Sequence, residues 1–195
     1  RVVFNGDGYS EEWPIEAEKR GLYNLKSLPE ALAHFDDQKN IDLFVKNKVH
    51  SEIEIKARKV ITLEEYVKTI NIEALTMLEM AKQDILPAVS GYVKELTDTA
   101  LAKKSLSASI PTSVEEDLIT TLSNDLVSFS EKIKSLEEIL AKGNDIEDAQ
   151  ERANYYHDVV FAAMNELRAV SDEMETMTSS EYWPYPTYDK LLFGV

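Results

Sequence analysis

The chain contains no cysteine. Disulfides, thiolate metal sites and cysteine nucleophiles are therefore excluded. A domain of this size without disulfides fits a cytoplasmic setting. Glycine and proline are scarce, six each in 195 residues, too few for a linker-rich or collagen-like chain. Basic residues are in deficit, 21 against 36 acidic ones, for a formal net charge of −15. Such a surface repels a phosphate backbone and an anionic bilayer, so neither nucleic acid nor membrane is expected as a partner. Apolar runs are only a few residues long, and none spans a bilayer.

What is present favours helix: abundant Leu, Glu, Lys and Ala, and a 44% apolar content that supports an ordinary core. The start, RVVFNGDGYSEEW, reads as a short strand or extended stretch over Val2, Val3 and Phe4, then a turn. Ser10 caps a helix over 11–20, with Pro14 in its first turn and Gly21 past its end. Trp13 and Ala17, with Tyr9 beside them, would line its buried side. Ser27 with Glu30 is a capping box for a short helix ending near His34 and Phe35, and Asp36 or Asp37 caps the next, to about Lys48.

Ser51 with Glu54 predicts a short helix over 51–60, and Thr62 with Glu65 a restart. From Thr62 apolar residues recur at threes and fours to about Lys104, with Pro87 and Gly91 predicting a kink. Ile70, Ile72, Leu75 and Met80 widen the apolar stripe, which predicts burial from more than one side. A Ser-rich loop ends at Pro111, and Ser113 with Glu116 opens a helix with the seam Leu118, Leu122, Leu126, Phe129, Ile133, Leu136, Leu140. Gly143 stops it, and Asn144 or Asp145 caps the last long helix, whose seam runs from Ile146 to Met177. The short link makes these two helices antiparallel. The predicted fold is all-α: an antiparallel bundle of three long helices, preceded by several short helices and followed by an extended aromatic and proline-rich tail. The division is 1–50, a linker-like start with short helices; 51–180, the bundle; and 181–195, the tail. In that tail Tyr182, Trp183, Tyr185, Tyr188, Leu192 and Phe193 are too apolar to be left in water, so they are the candidate docking residues.

No catalytic constellation is legible. The Gly-rich opening lacks the Lys of a P-loop and the third glycine of a dinucleotide fingerprint, and only loosely imitates a calcium loop. His34, His50 and His157 lie apart, without a second ligand at metal spacing. The acid pairs fall in first helical turns or on polar faces. Met77, Met80, Met164, Met174 and Met177 read as core filler rather than as the lining of a ligand site. Catalytic, cofactor and metal residues are therefore all assigned as none.

Three stretches together resemble a known family. FNGDGYSEEW…EAEKRGLYN, KTINIEALTMLEMAKQDILPAV and WPYPTYDKLLF resemble the carboxy-terminal region of type III glutamine synthetases and bracket nearly the whole chain. The resemblance implies a parent ligase of nitrogen metabolism that makes glutamine from glutamate, ammonia and ATP with Mg or Mn. It implies a large homo-oligomer, a dodecamer, in which this chain packs on its own upstream catalytic domain and on neighbouring subunits. The chain would begin just after the catalytic motifs, consistent with the Arg at position 1, and would itself be non-catalytic, serving oligomer assembly or covering the active site. The alternative is a free-standing helical adaptor without an enzymatic parent.

Overall fold

A computed structural model describes residues 2–194; the side chains of Tyr188 and Asp189 lie outside the described residues. The fold is all-helical, with no strand among the described residues. The chain forms two compact units, residues 1–66 and 67–195.

The first unit opens without a strand. Asp7 Oδ1 accepts from the Tyr9 amide at 2.9 Å and Ser10 Oγ donates to the Asp7 carbonyl at 2.7 Å, so 7–10 is a side-chain-closed turn. Helix α1, Glu12–Lys19, follows without a side-chain cap. Ser10 therefore does not cap it, because its hydroxyl is spent on the turn. Ala17 is buried, but Tyr9 is fully exposed, contrary to expectation. Trp13 packs on Phe4, centroids 5.0 Å apart, with the Arg20 guanidinium over its ring. Gly21, at φ 70°, closes α1: its amide bonds the Glu18 carbonyl and the Leu22 amide bonds that of Ala17.

Helix α2, Leu28–Ala33, carries the predicted box, with the Glu30 carboxylate accepting from the Ser27 amide and the Ser27 hydroxyl accepting from the Glu30 amide. Helix α3, Gln38–Lys46, starts after Asp37, but the Asp37 carboxylate faces His34 at 3.3 Å instead of capping. The α3 end repeats the α1 closure: the Lys48 amide meets the Val45 carbonyl and the Val49 amide that of Phe44. Here a lysine, not a glycine, sits at φ 55°. The Lys59 ammonium holds Asp36 at 2.8 Å and keeps its carboxyl below the usual range.

Helix α4, Glu52–Met80, is one continuous helix. The Ser51 and Glu54 box opens it, but the expected break before Thr62 does not occur. Ile55 and Leu63 are both fully buried on one face, so the stripe continues through the would-be cap and packing overrides it.

In the second unit, the last part of α4 buries Ile70, Ala74 and Leu78. Ile72 and Leu75 are more than half exposed and Met80 is exposed too, so of the widened stripe only Ile70 is buried among the described residues. A π-helical turn, Ala81–Ile85, then leads into α5, Leu86–Leu106. The expected distortion thus sits one turn ahead of Pro87, where the proline has no amide to donate and its ring crowds the carbonyl four residues back. Gly91 is unstrained and inside α5.

Helix α6, Ser113–Asn144, starts after the buried Thr112, whose hydroxyl donates to the Glu116 carboxylate; no side chain caps the helix, so the expected box of Ser113 with Glu116 does not form. Leu122, Phe129, Ile133, Leu136 and Leu140 are buried along its seam. Gly143 does not stop the helix but lies buried in its last turn. Asp148, not Asn144 or Asp145, caps α7, Ala149–Tyr155, by accepting from the Glu151 amide at 2.9 Å. A second π-turn, Tyr156–Val160, continues into α8, Phe161–Met177. Helix α6 packs against α5 on one side and α8 on another. Ion pairs set both directions: Lys103 with Glu115 and Lys82 with Glu137 make α5 antiparallel to α6. Lys132 with Glu166, and the Tyr155 hydroxyl on the Ile139 carbonyl, do the same for the helices after the turn. The buried Tyr156 hydroxyl donates to Asn71 Oδ1 at 3.1 Å, joining α4 to the bundle.

Two substitutions test these backbone assignments. A Cβ on Gly143 would come within 2.9 Å of the buried Tyr156 ring and 3.2 Å of Tyr155. Gly143→Ala should therefore lower unfolding free energy by about 1–3 kcal/mol, reversing the usual gain in a helix. Lys48→Gly relieves a left-handed lysine and should raise it by roughly 0.5–1 kcal/mol. Urea unfolding of both variants reads the two signs.

Candidate functional site

Three turns of helix and the tail meet in the second unit. After α8, the amides of Tyr182 and Trp183 both bond the Ser179 carbonyl at 2.9 Å, which folds the chain back on itself. The tail is therefore not extended: it is a turn, then Pro-rich chain, then a short helix α9, Tyr188–Phe193. Pro184 and Pro186 keep the segment between them out of helix.

Each expected docking residue has a definite place. The Tyr182 ring lies over α5, 5.4 Å from the Tyr92 ring and 3.6 Å from where a Gly91 Cβ would be. Trp183 is buried. The Tyr185 hydroxyl donates to Asp84 Oδ2, in the first π-turn, at 3.0 Å. Tyr188 lies outside the described side chains. Leu192 and Phe193 are about three-quarters exposed, as is much of Leu191. The structure thus gathers 182, 183 and 185 on the bundle and leaves 192 and 193 in solvent.

Trp183 and Tyr185 also wall a groove of about 530 Å³. Phe129 from α6, Met164 and Leu167 from α8, and Met77, Met80 and Ile85 line it as well. Met77, Met80 and Met164 line this opening; Met164 is nonetheless buried, Met174 fully so, as expected of core filler, whereas Met80 is exposed. No sequence signal marks this groove, because its residues come from four separate segments. Burial pushes the Tyr185 phenol up to about 12, helped by the Asp84 carboxylate that accepts its proton.

No histidine is among the residues that line the groove. His34 stacks on Tyr23, His50 lies beside Phe44, and His157 pairs with Asp158 at 2.7 Å. Among the described residues no three His, Asp or Glu side chains converge as metal ligands. No helix among the described residues is long and apolar enough to cross a membrane.

Comparison with known proteins settles the family. The model of the glutamine synthetase C-terminal domain matches residues 1–104, more than half of the chain. The chain belongs to that family. A glutamine synthetase of Butyrivibrio fibrisolvens is 38% identical over 195 residues, all of this chain and 28% of its own length. A type-3 glutamine synthetase of Dictyostelium discoideum is 33% identical over 99% of the chain and 27% of its length. A glutamine synthetase of Bacteroides fragilis (strain YCH46) is 29% identical over 98% and 27%. The chain thus spans little more than a quarter of these relatives.

The Tyr185 hydrogen bond makes a pH-dependent contribution in this glutamine synthetase C-terminal domain. Its folded pKa lies above the ordinary 10.0, so the stabilisation is complete below pH 10 and is lost as pH rises through 10 to about 12. Tyr185→Phe should cost about 0.5–1.5 kcal/mol at pH 7 and flatten the stability loss in that window. Absorbance titration of tyrosinate should lose its latest phase in the variant.

Proposed function

We propose that this chain is the non-catalytic C-terminal part of a glutamine synthetase, an enzyme joining ammonia to glutamate at the expense of ATP with a divalent cation. Its role is to pack against the upstream catalytic domain and against neighbouring subunits of a homo-oligomer, the family's dodecamer. The observation that carries this reading is the match of the glutamine synthetase C-terminal domain to residues 1–104, with a glutamine synthetase 38% identical over the whole chain but only 28% of its own length. A cytoplasmic location follows from the same reading.

Exposed apolar side chains support the packing role. Val2 and Val3 at one end, and Leu191, Leu192 and Phe193 at the other, are large, apolar and solvated. Contact with further protein would remove that surface from water, at roughly 25 cal/mol per Å². The tail then works in two parts. Residues 182–185 fasten it to its own bundle, and the helix carrying Leu192 and Phe193 projects its apolar side chains toward a second surface.

Removing residues 181–195 from the full-length enzyme should shrink the oligomer in light scattering and lower glutamine formation. A truncated enzyme of unchanged mass and unchanged activity would overturn the proposal. Leu192→Ser with Phe193→Ser should reproduce the assembly defect while leaving the unfolding free energy of the isolated 195-residue chain within about 0.5 kcal/mol of the parent, as for other exposed positions.

A further inference from the structure

The groove beneath Trp183 has a composition that selects a ligand class. Its walls are thioethers and rings: Met77, Met80 and Met164 with Phe129, Trp183 and Tyr185. Such a lining is soft, polarisable and adaptable in shape. The volume, about 530 Å³, suits a small organic molecule. The polar groups at its edge are unbalanced in sign. Its lining includes three carboxylates, Glu73, Asp172 and Glu175, and one cation, Arg168, which is paired to Asp172 at 3.3 Å. Glu73 and Glu175 have no cationic partner among the described residues.

We infer that this groove binds a small hydrophobic ammonium, an apolar or aromatic body with one positive amino group. The body would lie against the three thioethers, walled by Trp183 and Tyr185. The ammonium would sit between the Glu73 and Glu175 carboxylates, near the indole of Trp183, whose ring face also attracts cations. An anion of the same shape meets two uncompensated carboxylates and is disfavoured. Because Trp183 and Tyr185 belong to the tail, occupancy would also hold the 182–185 segment on the bundle.

Two probes of the same body and opposite charge test this: 4-phenylbutylamine and 4-phenylbutyrate, titrated into the 195-residue chain at pH 7. With methionine labelled at its 13C methyl, each of the five methyl resonances is assigned by a single Met→Leu variant. The amine should shift Met77, Met80 and Met164 saturably and leave Met174 and Met177 nearly still. It should bind about fivefold more tightly than the acid, the preference expected of two exposed carboxylates. Glu73→Gln with Glu175→Gln should bring the two probes to the same affinity without moving the Met174 signal. Saturable shifts with no charge preference, shifts as large at Met174 and Met177, or no saturation at all would each overturn the inference. A preference that survives the double substitution would overturn the assignment of the ammonium position.

Discussion

Leu122, Phe129, Ile133, Leu136 and Leu140 form one stripe of α6, and water is removed from it on two sides at once. Helix α5 covers one flank and α8 another, so neither long hairpin could lose its partner without exposing the same side chains. The entropy of ordering the 67–195 unit is offset chiefly by this shared burial, at roughly 25 cal/mol per Å² of apolar surface. The ion pairs that cross the same interfaces, Lys82 with Glu137 and Lys132 with Glu166, are largely exposed and contribute little energy. They fix register and direction instead.

The two π-turns follow from the need to keep apolar side chains on that interface. In the first, Pro87 removes an amide and crowds the preceding turn, and the wider turn Ala81–Ile85 absorbs the mismatch while Ala81 and Ile85 both stay buried. In the second, Tyr156 and Val160 are buried at the two ends of the widened turn. The Tyr156 ring needs room that only a glycine at 143 leaves, and its hydroxyl reaches Asn71. One aromatic side chain therefore ties three helices, and its burial pushes the phenol pKa upward.

Periodicity made the long helices legible, because α6 and α8 repeat apolar residues at threes and fours for many turns. Local boundary signals were less dependable. The boxes at Ser27 and Ser51 form, since each stands where an apolar stripe begins. The one at Thr62 does not, since Ile55 and Leu63 continue a stripe across it. Gly143 looked like a terminator, but its smallness serves a ring that approaches from α7 and the turn after it, which no local window contains. The aromatics at 182, 183 and 185 stood out by composition, whereas the groove they wall did not. Met77, Phe129, Met164 and Trp183 are far apart in the chain, and only the fold makes them neighbours. The family resemblance came from three unusual stretches, and the match over residues 1–104 includes two of them.

The sequence contains two tryptophans, and the fold puts one in each compact unit. Trp13 lies against Phe4 with a guanidinium over it, while Trp183 is buried beside the thioethers of the bundle. The molecule thus carries two native optical reporters in different electrostatic surroundings. Replacing either one by phenylalanine leaves tryptophan emission from a single unit. Whether residues 1–66 and 67–195 melt together or in succession can then be read from the light of the protein itself, with no label attached.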